Sequence, residues 1–207
     1  MRFDIVYADP AWKFRNEKTG GSHQSGSAQK YPVMDLKQIA DLPVPAITHP
    51  GSLLFLWVPT TMKFTHAPTV ALSWGFRHYI TTIYWDKQRS GMGFYYRNVM
   101  EELLVFSAES VIEELLVFSV SAGSVAPFGC QRQNRIACPP MEHSEKPEEF
   151  RRLIEESTGK ISSRRCVELF ARRKVPGWTP VGNQVTGRHI KEDIRRLAAG
   201  EPGMAWP

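Results

Sequence analysis

Little in this sequence suits a membrane or an oxidising compartment. Only three cysteines stand among 207 residues, an odd number at irregular spacing, so no disulfide framework is written into the chain. A reducing cytoplasm is the expected setting. The longest unbroken aliphatic and aromatic run, Leu53 to Val58, falls far short of the roughly 20 apolar residues that a membrane-spanning helix needs. The opening Met-Arg-Phe-Asp-Ile-Val lacks the basic and apolar blocks of a signal peptide. Core formers, by contrast, are not scarce. Hydrophobic residues make up 42% and charged residues 23%, which excludes a disordered or fibrous chain. The length suits a single domain, 1–207, able to bury its own core.

Negative charge is in short supply toward the end of the chain. Residues 1–150 carry 14 Lys and Arg against 15 Asp and Glu, whereas residues 151–207 carry 12 against 6, so the excess that makes the protein +5 lies in the last quarter. Clusters such as Arg164-Arg165, Arg172-Arg173-Lys174 and Arg195-Arg196 would attract a polyanion, and would equally make a solvated basic face.

The apolar pattern predicts strands alternating with helices. Phe3 to Ala8 reads as a buried strand closed by Asp9-Pro10, where proline ends pairing. Residues 16–30 form a polar loop. Asp35 opens a short helix, with Gln38 three residues on completing a capping box. Ser52 to Val58 is a second strand. A helix fills 61–74 and stops at Gly75, with Pro68 kinking it or delaying its start. His78 to Trp85 is a third strand, and 121–143 a long loop. A helix with Pro147 in its first turn presents Phe150, Leu153 and Ile154 on one face. Cys166 to Ala171 is another strand, a Gly- and Pro-rich loop runs through Gly177-Trp178 and Gly182-Asn183-Gln184, and a basic helix covers 190–200. This alternation implies an α/β fold with a mainly parallel sheet.

One stretch repeats. Val99-Met-Glu-Glu-Leu-Leu-Val-Phe-Ser recurs at Val111-Ile-Glu-Glu-Leu-Leu-Val-Phe-Ser, twelve residues on, with eight of nine positions identical. A single duplication does not make a solenoid. Side chains along a strand alternate with period two, and twelve is even, so either copy offers the same faces to one slot in a sheet. The first copy follows Arg97-Asn98, and it is the one expected to take the slot in this duplicated segment, 99–119.

Ligands of open α/β sheets bind beyond the carboxyl ends of the strands. Two segments place polar groups there, Asp9-Pro10-Ala11-Trp12 and Glu168-Leu-Phe-Ala-Arg172. An acid, a proline carbonyl and an indole directly after a strand suit a flat base with an exocyclic amine: two acceptors for the amine hydrogens and a ring to stack on the base. Asp-Pro is also an ordinary turn dipeptide. Neighbouring segments favour the first reading. In order they are Tyr31-Pro-Val-Met, Leu54-Phe-Leu-Trp57-Val, Arg97-Asn98-x-x-Glu101, Glu142-His-Ser-x-Lys146-Pro147-x-Glu, Glu168-Leu-Phe-Ala-Arg172, and Gly177-Trp with Gly182-Asn183-Gln184.

This ordered set resembles the permuted, class beta adenine N6-methyltransferases, a family that includes the catalytic subunit of the eukaryotic mRNA adenosine methyltransferase and many phage and bacterial DNA adenine methyltransferases. The resemblance covers roughly residues 3–185. It implies a Rossmann-like methyltransferase sheet, circularly permuted so that the catalytic motif, 9–12, precedes the cofactor motifs, 146–184, and it implies S-adenosylmethionine as cofactor. On the family pattern, Asp9 and the Pro10 carbonyl grip the adenine N6 amine and Trp12 stacks on the base. Asp9 also meets the amino end of the cofactor and Lys146 its carboxylate, while Glu168, Arg172, Asn183 and Gln184 line its ribose and adenine. Tyr31 and Trp57 shape the pocket, and Asn98 and Glu101 face the target.

The chain departs from the pattern at Ala11, where a second proline is usual, at Met100, where histidine is usual, and at Glu145, often arginine. The implied partner is DNA, with RNA carrying the same base, and no membrane. A non-catalytic nucleic-acid-binding subunit is the rival from another class. Cys130, Cys138, His143 and Cys166 include no close Cys-x-x-Cys pair, so no metal is expected.

Overall fold

A computed structural model describes residues 2–13, 33–89, 97–109, 133–140, 145–158 and 165–201. The predicted loop 16–30, Tyr31 and the second copy of the repeat lie outside these residues. Seven strands form one sheet: β1 (Phe3–Ala8), β2 (Thr48–Val58), β3 (His78–Asp86), β4 (Met100–Ser107), β5 (Arg135–Ala137), β6 (Cys166–Leu169) and β7 (Trp178–Val181), in the order β5-β3-β4-β2-β1-β6-β7. All neighbours pair parallel except β4, which runs antiparallel to both β2 and β3. The expected mixed, mostly parallel sheet is present, and it has the architecture of a Rossmann-like methyltransferase.

Period-two alternation divides the central strands between two cores. Val6, Ala8, Leu54, Leu56, Val58, Leu104 and Phe106 point to one face. Ile5, Tyr7, Leu53, Phe55, Trp57, Leu103 and Val105 point to the other. Because both faces are covered, these strands read as continuous apolar runs. The first face is packed by α1 (Leu36–Ala40), α2 (Ala67–Ser73) and α5 (Ile190–Ala199), through Ile39, Val70, Trp74, Ile190, Ile194 and Leu197. The second is packed by α3 (Glu148–Ser157), through the predicted trio Phe150, Leu153 and Ile154. A single turn, α4 (Asn183–Thr186), links β7 to α5.

Local chemistry sets the ends of these elements. The Asp35 carboxylate accepts the Gln38 N–H at 2.8 Å, and the Gln38 side chain accepts the Asp35 N–H at 2.9 Å, so the predicted capping box is closed. Pro68 occupies the first turn of α2, so proline delays that helix and does not kink it. Gly200 ends α5 at φ 75°.

Two expected loops contain strands. Trp178 to Val181 pairs with β6 as an edge strand, a position where Pro180 costs no ladder bond on its open side. Arg135 to Ala137 pairs with β3 at the opposite edge. Met100 to Ser107, the first copy of the repeat, fills the antiparallel slot between β2 and β3. Trp74 and Trp85 are buried core residues.

Gly182 joins β7 to α4 under two constraints. Its φ is 153°, and a Cβ there would stand 3.0 Å from the Ala171 nitrogen and 3.1 Å from the Ala171 oxygen. The Ala171 N–H is itself held by the Val181 carbonyl at 2.9 Å, so the opposing backbone is fixed. Gly182→Ala is therefore expected to lower stability by about 1–3 kcal/mol, read as a fall in the urea midpoint at an unchanged m-value.

Candidate active site

The chain leaves β1 toward β2 on one side and returns through α3 to β6 on the other, so the strand order reverses beside β1. The carboxyl ends of β1 and β6 therefore flank a switch point, the position where open α/β sheets hold ligands in a crevice. Asp9 follows β1 directly. Phe170 to Arg172 follow β6, and Phe170 takes φ 64°, an uncommon conformation for a bulky side chain, as the backbone leaves the strand.

Charged groups on or beside five elements converge here. The Asp9 carboxylate lies 3.5 Å from the Lys146 ammonium and 3.8 Å from the Arg172 guanidinium, and its side chain is 22% exposed. Lys146 stands just before Pro147, the cap of α3, and donates to Glu101 of β4 at 2.7 Å. Its ammonium also sits 4.8 Å from the centre of the Trp57 ring. Lys87 donates to the other Glu101 oxygen at 3.3 Å.

Burial pushes the Asp9 carboxyl above the ordinary aspartate range, only partly countered by Lys146 and Arg172. Burial would raise the Glu101 carboxyl too, but Lys146 and Lys87 outweigh it and hold it below its usual value. Burial works against the Lys146 charge, yet Asp9 and Glu101 keep its pKa raised, so it stays an ammonium. The site thus holds one firmly ionised acid, one firmly charged amine, and one acid displaced toward neutrality.

Glu168, on β6, is clasped from α3. The Arg151 Nη2 and Nε donate to its two oxygens at 2.6 and 3.1 Å, and Arg151 also donates to Glu148 at 2.8 Å. Arg173, beyond the end of β6, donates to the same Glu148 oxygen at 2.6 Å and pairs with Glu145 at 3.2 Å. The Tyr7 hydroxyl accepts the Trp57 indole N–H at 2.7 Å, and the Arg151 guanidinium lies 5.5 Å from the Tyr7 ring centre. Asn183 and Gln184 are exposed immediately after Gly182.

Other expected site residues stand differently from the family pattern. Trp12 is only 5% exposed: its indole N–H donates to the Trp57 carbonyl at 3.0 Å and its ring meets His66 edge-on at 6.3 Å. Stacking on a base would require these contacts to open. The Pro10 carbonyl accepts the Trp12 N–H at 2.8 Å and retains a second lone pair. Asn98 is exposed ahead of β4.

Glu101 and Glu102 point to opposite faces, as adjacent strand residues must, and Glu102 pairs with Lys63 at 2.5 Å. The residue order does not single out Lys87, Arg151 or Tyr7 as part of the site. Arg151 carries the one readable signal, a charged residue beside the apolar stripe of α3. Among the described residues no group of His, Cys, Asp and Glu could hold a metal, and no helix is long and apolar enough to cross a membrane.

A Rossmann-like sheet with charged groups gathered at its switch point is consistent with a methyltransferase. Residues 3–184 match the MT-A70 family model, and the chain belongs to this methyltransferase family. It is also similar to the Type II methyltransferase M.MunI of Mycoplasma sp, with 26% identity over 205 residues, covering 92% of this chain and 81% of that protein.

Proposed function

We propose that the protein transfers a methyl group from S-adenosylmethionine to N6 of adenine in DNA. The observation that carries this reading is the half-buried Asp9 carboxylate between Lys146 and Arg172 beyond the carboxyl ends of β1 and β6. The donor set suits an amino-acid nucleoside: Lys146 would hold its carboxylate, Asp9 its ammonium, and Glu168, Arg172, Asn183 and Gln184 its ribose and base. When bound, that cofactor supplies a methyl group on a cationic sulfur, an electrophile that a neutral amine can attack.

The chain's own groups prepare the amine. Its lone pair is delocalised into the adenine ring, which makes it a poor nucleophile. The Asp9 carboxylate and the free lone pair of the Pro10 carbonyl accept its two hydrogens and favour a pyramidal nitrogen. Asp9 then takes the proton that leaves the methylated nitrogen, a task suited to a carboxyl whose pKa is raised. Lys146 and Glu101 stay charged and fix the geometry. The base must be unpaired or turned out of a duplex to reach Asp9.

Similarity over 92% of the chain to a protein named a Type II methyltransferase supports DNA as the first substrate to test. Matched DNA and RNA oligonucleotides, analysed by mass spectrometry for N6-methyladenine, test both the reaction and its substrate. A methylated RNA with untouched DNA would reverse the choice, and no methylated adenine in either would reject the activity.

The pH dependence is set by Asp9. Only its ionised form accepts both the amine hydrogen and the proton, so the rate falls as pH drops through the Asp9 pKa. Burial raises that pKa, so the acid limb of the rate profile is expected above the roughly 3.9 of an exposed aspartate. Removing the opposing charge with Lys146→Met should move the limb further toward neutral pH. A limb at or below the exposed value, or one shifted downward in that variant, would contradict the assignment.

A further inference from the structure

Trp12 is buried, yet an open aromatic ring stands close by. Phe64 is 84% exposed, the most exposed of the large hydrophobic residues among those described. It lies in the turn between the 3-10 helix Thr60–Met62 and α2, beyond the carboxyl end of β2 and hence on the same edge of the sheet as Asp9. The turn is anchored on both sides of Phe64. Met62 is in the core with Trp12, and His66 packs its ring against Trp12. The Lys63 ammonium, paired with Glu102, lies 5.6 Å from the Phe64 ring centre. Exposing a phenylalanine on a fixed turn has no benefit for folding.

The surroundings of Phe64 suit a polyanion with flat bases. Met100, 36% exposed, begins β4 on the face that also carries Glu102, the partner of Lys63. Lys13, Arg89 and Arg97 are exposed at the ends of the segments bordering this edge. The basic helix α5, by contrast, packs against the 3-10 turn Val44–Ile47, which feeds the amino end of β2, so its arginines are not gathered at the switch point.

We infer that Phe64 is a stacking residue for the nucleic-acid strand flanking the target adenine, with the exposed cations of this edge meeting its phosphates. Stacking accepts any base, so the contact supplies affinity and register and leaves sequence reading to other groups. The inference rests on the nucleic-acid methyltransferase reading, and the test separates the two.

Phe64 is exposed, so Phe64→Ala should fold like the wild type, which circular dichroism and thermal melting check directly. Anisotropy of a labelled adenine-containing oligonucleotide should show affinity falling roughly ten-fold in Phe64→Ala. KM for the oligonucleotide should rise in parallel, with S-adenosylmethionine affinity and saturated kcat unchanged, and Phe64→Trp should restore binding. Affinity within two-fold of wild type in Phe64→Ala would overturn the proposal. So would a change in oligomeric state without a change in affinity, which would assign the ring to a second copy of the chain. Loss of oligonucleotide affinity in Phe64→Ala, in a wild-type protein that methylates nothing, would reject the enzymatic reading and leave the stacking contact standing.

Discussion

Asp9→Ala is expected to reduce methyl transfer by about two orders of magnitude or more and to weaken S-adenosylmethionine binding through loss of the ammonium contact, while leaving the fold in place. The reason lies in what this carboxylate does alone. It directly follows β1, and burial displaces it toward neutrality. Glu101 is held ionised by two lysines and Glu168 is clasped by Arg151, so neither is free to replace it.

Removing Asp9 also leaves Lys146 and Arg172 without the anion between them. Lys146 retains Glu101, so the ammonium remains paired and the variant should fold. Asp9→Asn sharpens the test, because an amide keeps the shape and one acceptor but cannot take the proton. It should recover little activity if proton acceptance matters and much of it if alignment alone matters. Calorimetry with S-adenosylmethionine separates loss of binding from loss of chemistry. Near-wild-type turnover in Asp9→Ala, with folding intact, would remove Asp9 from the mechanism.

The parts of the fold that the sequence announced are those fixed by local signals. Phe3–Ala8 reads as a strand because it is an apolar run closed by Asp-Pro, and Asp35 with Gln38 spells a capping box. Gly200 marks a helix end because a left-handed residue is needed there. What stayed hidden depends on partners distant in sequence. Trp178–Val181 looks like a loop because Gly177 and Pro180 punctuate it, and only its place at the sheet edge makes it a strand. The strand β2 begins at Thr48, through His49-Pro50-Gly51, where no residue pattern would start one.

The site divides in the same way. Asp9 and the Glu168 to Arg172 segment are nameable because they stand at the carboxyl ends of recognisable strands, and Lys146 through the resemblance of the ordered motifs to a known family. Their partners are not nameable from residue order alone. Glu101 meets Lys146 across 45 residues, and only the antiparallel register of β4 turns it toward the lysine while Glu102 faces Lys63. Trp12 reads as an open stacking ring until the fold shows its indole N–H on the Trp57 carbonyl. Exposure is a property of the assembled molecule, and no local pattern reports it.

Arg151→Ala is expected to cost about 3–5 kcal/mol of stability, the largest effect predicted for any single change outside the apolar core. Arg151 is 3% exposed and Glu168 8%. The guanidinium grips both Glu168 oxygens and reaches Glu148 as well, so alanine strands a buried carboxylate with its main partner gone. Burial already raises the Glu168 pKa in the intact protein, and Arg151 is what opposes it. Without Arg151 the rise must grow.

The sign of the pH dependence follows. A carboxyl whose pKa is higher folded than unfolded binds protons more tightly in the native state, so acid favours folding. The deficit of Arg151→Ala relative to wild type should therefore be greatest near pH 7 and shrink as pH falls through the raised Glu168 pKa. Adding Glu168→Gln to Arg151→Ala removes the stranded charge. The double variant should then be more stable than Arg151→Ala at pH 7, and its deficit should be nearly independent of pH. Urea unfolding of the four proteins at two pH values reads all of this. Equal losses in Arg151→Ala and the double variant at pH 7 would show that the arginine acts by filling space. In that case the clasp would not be what keeps Glu168 ionised at the end of β6.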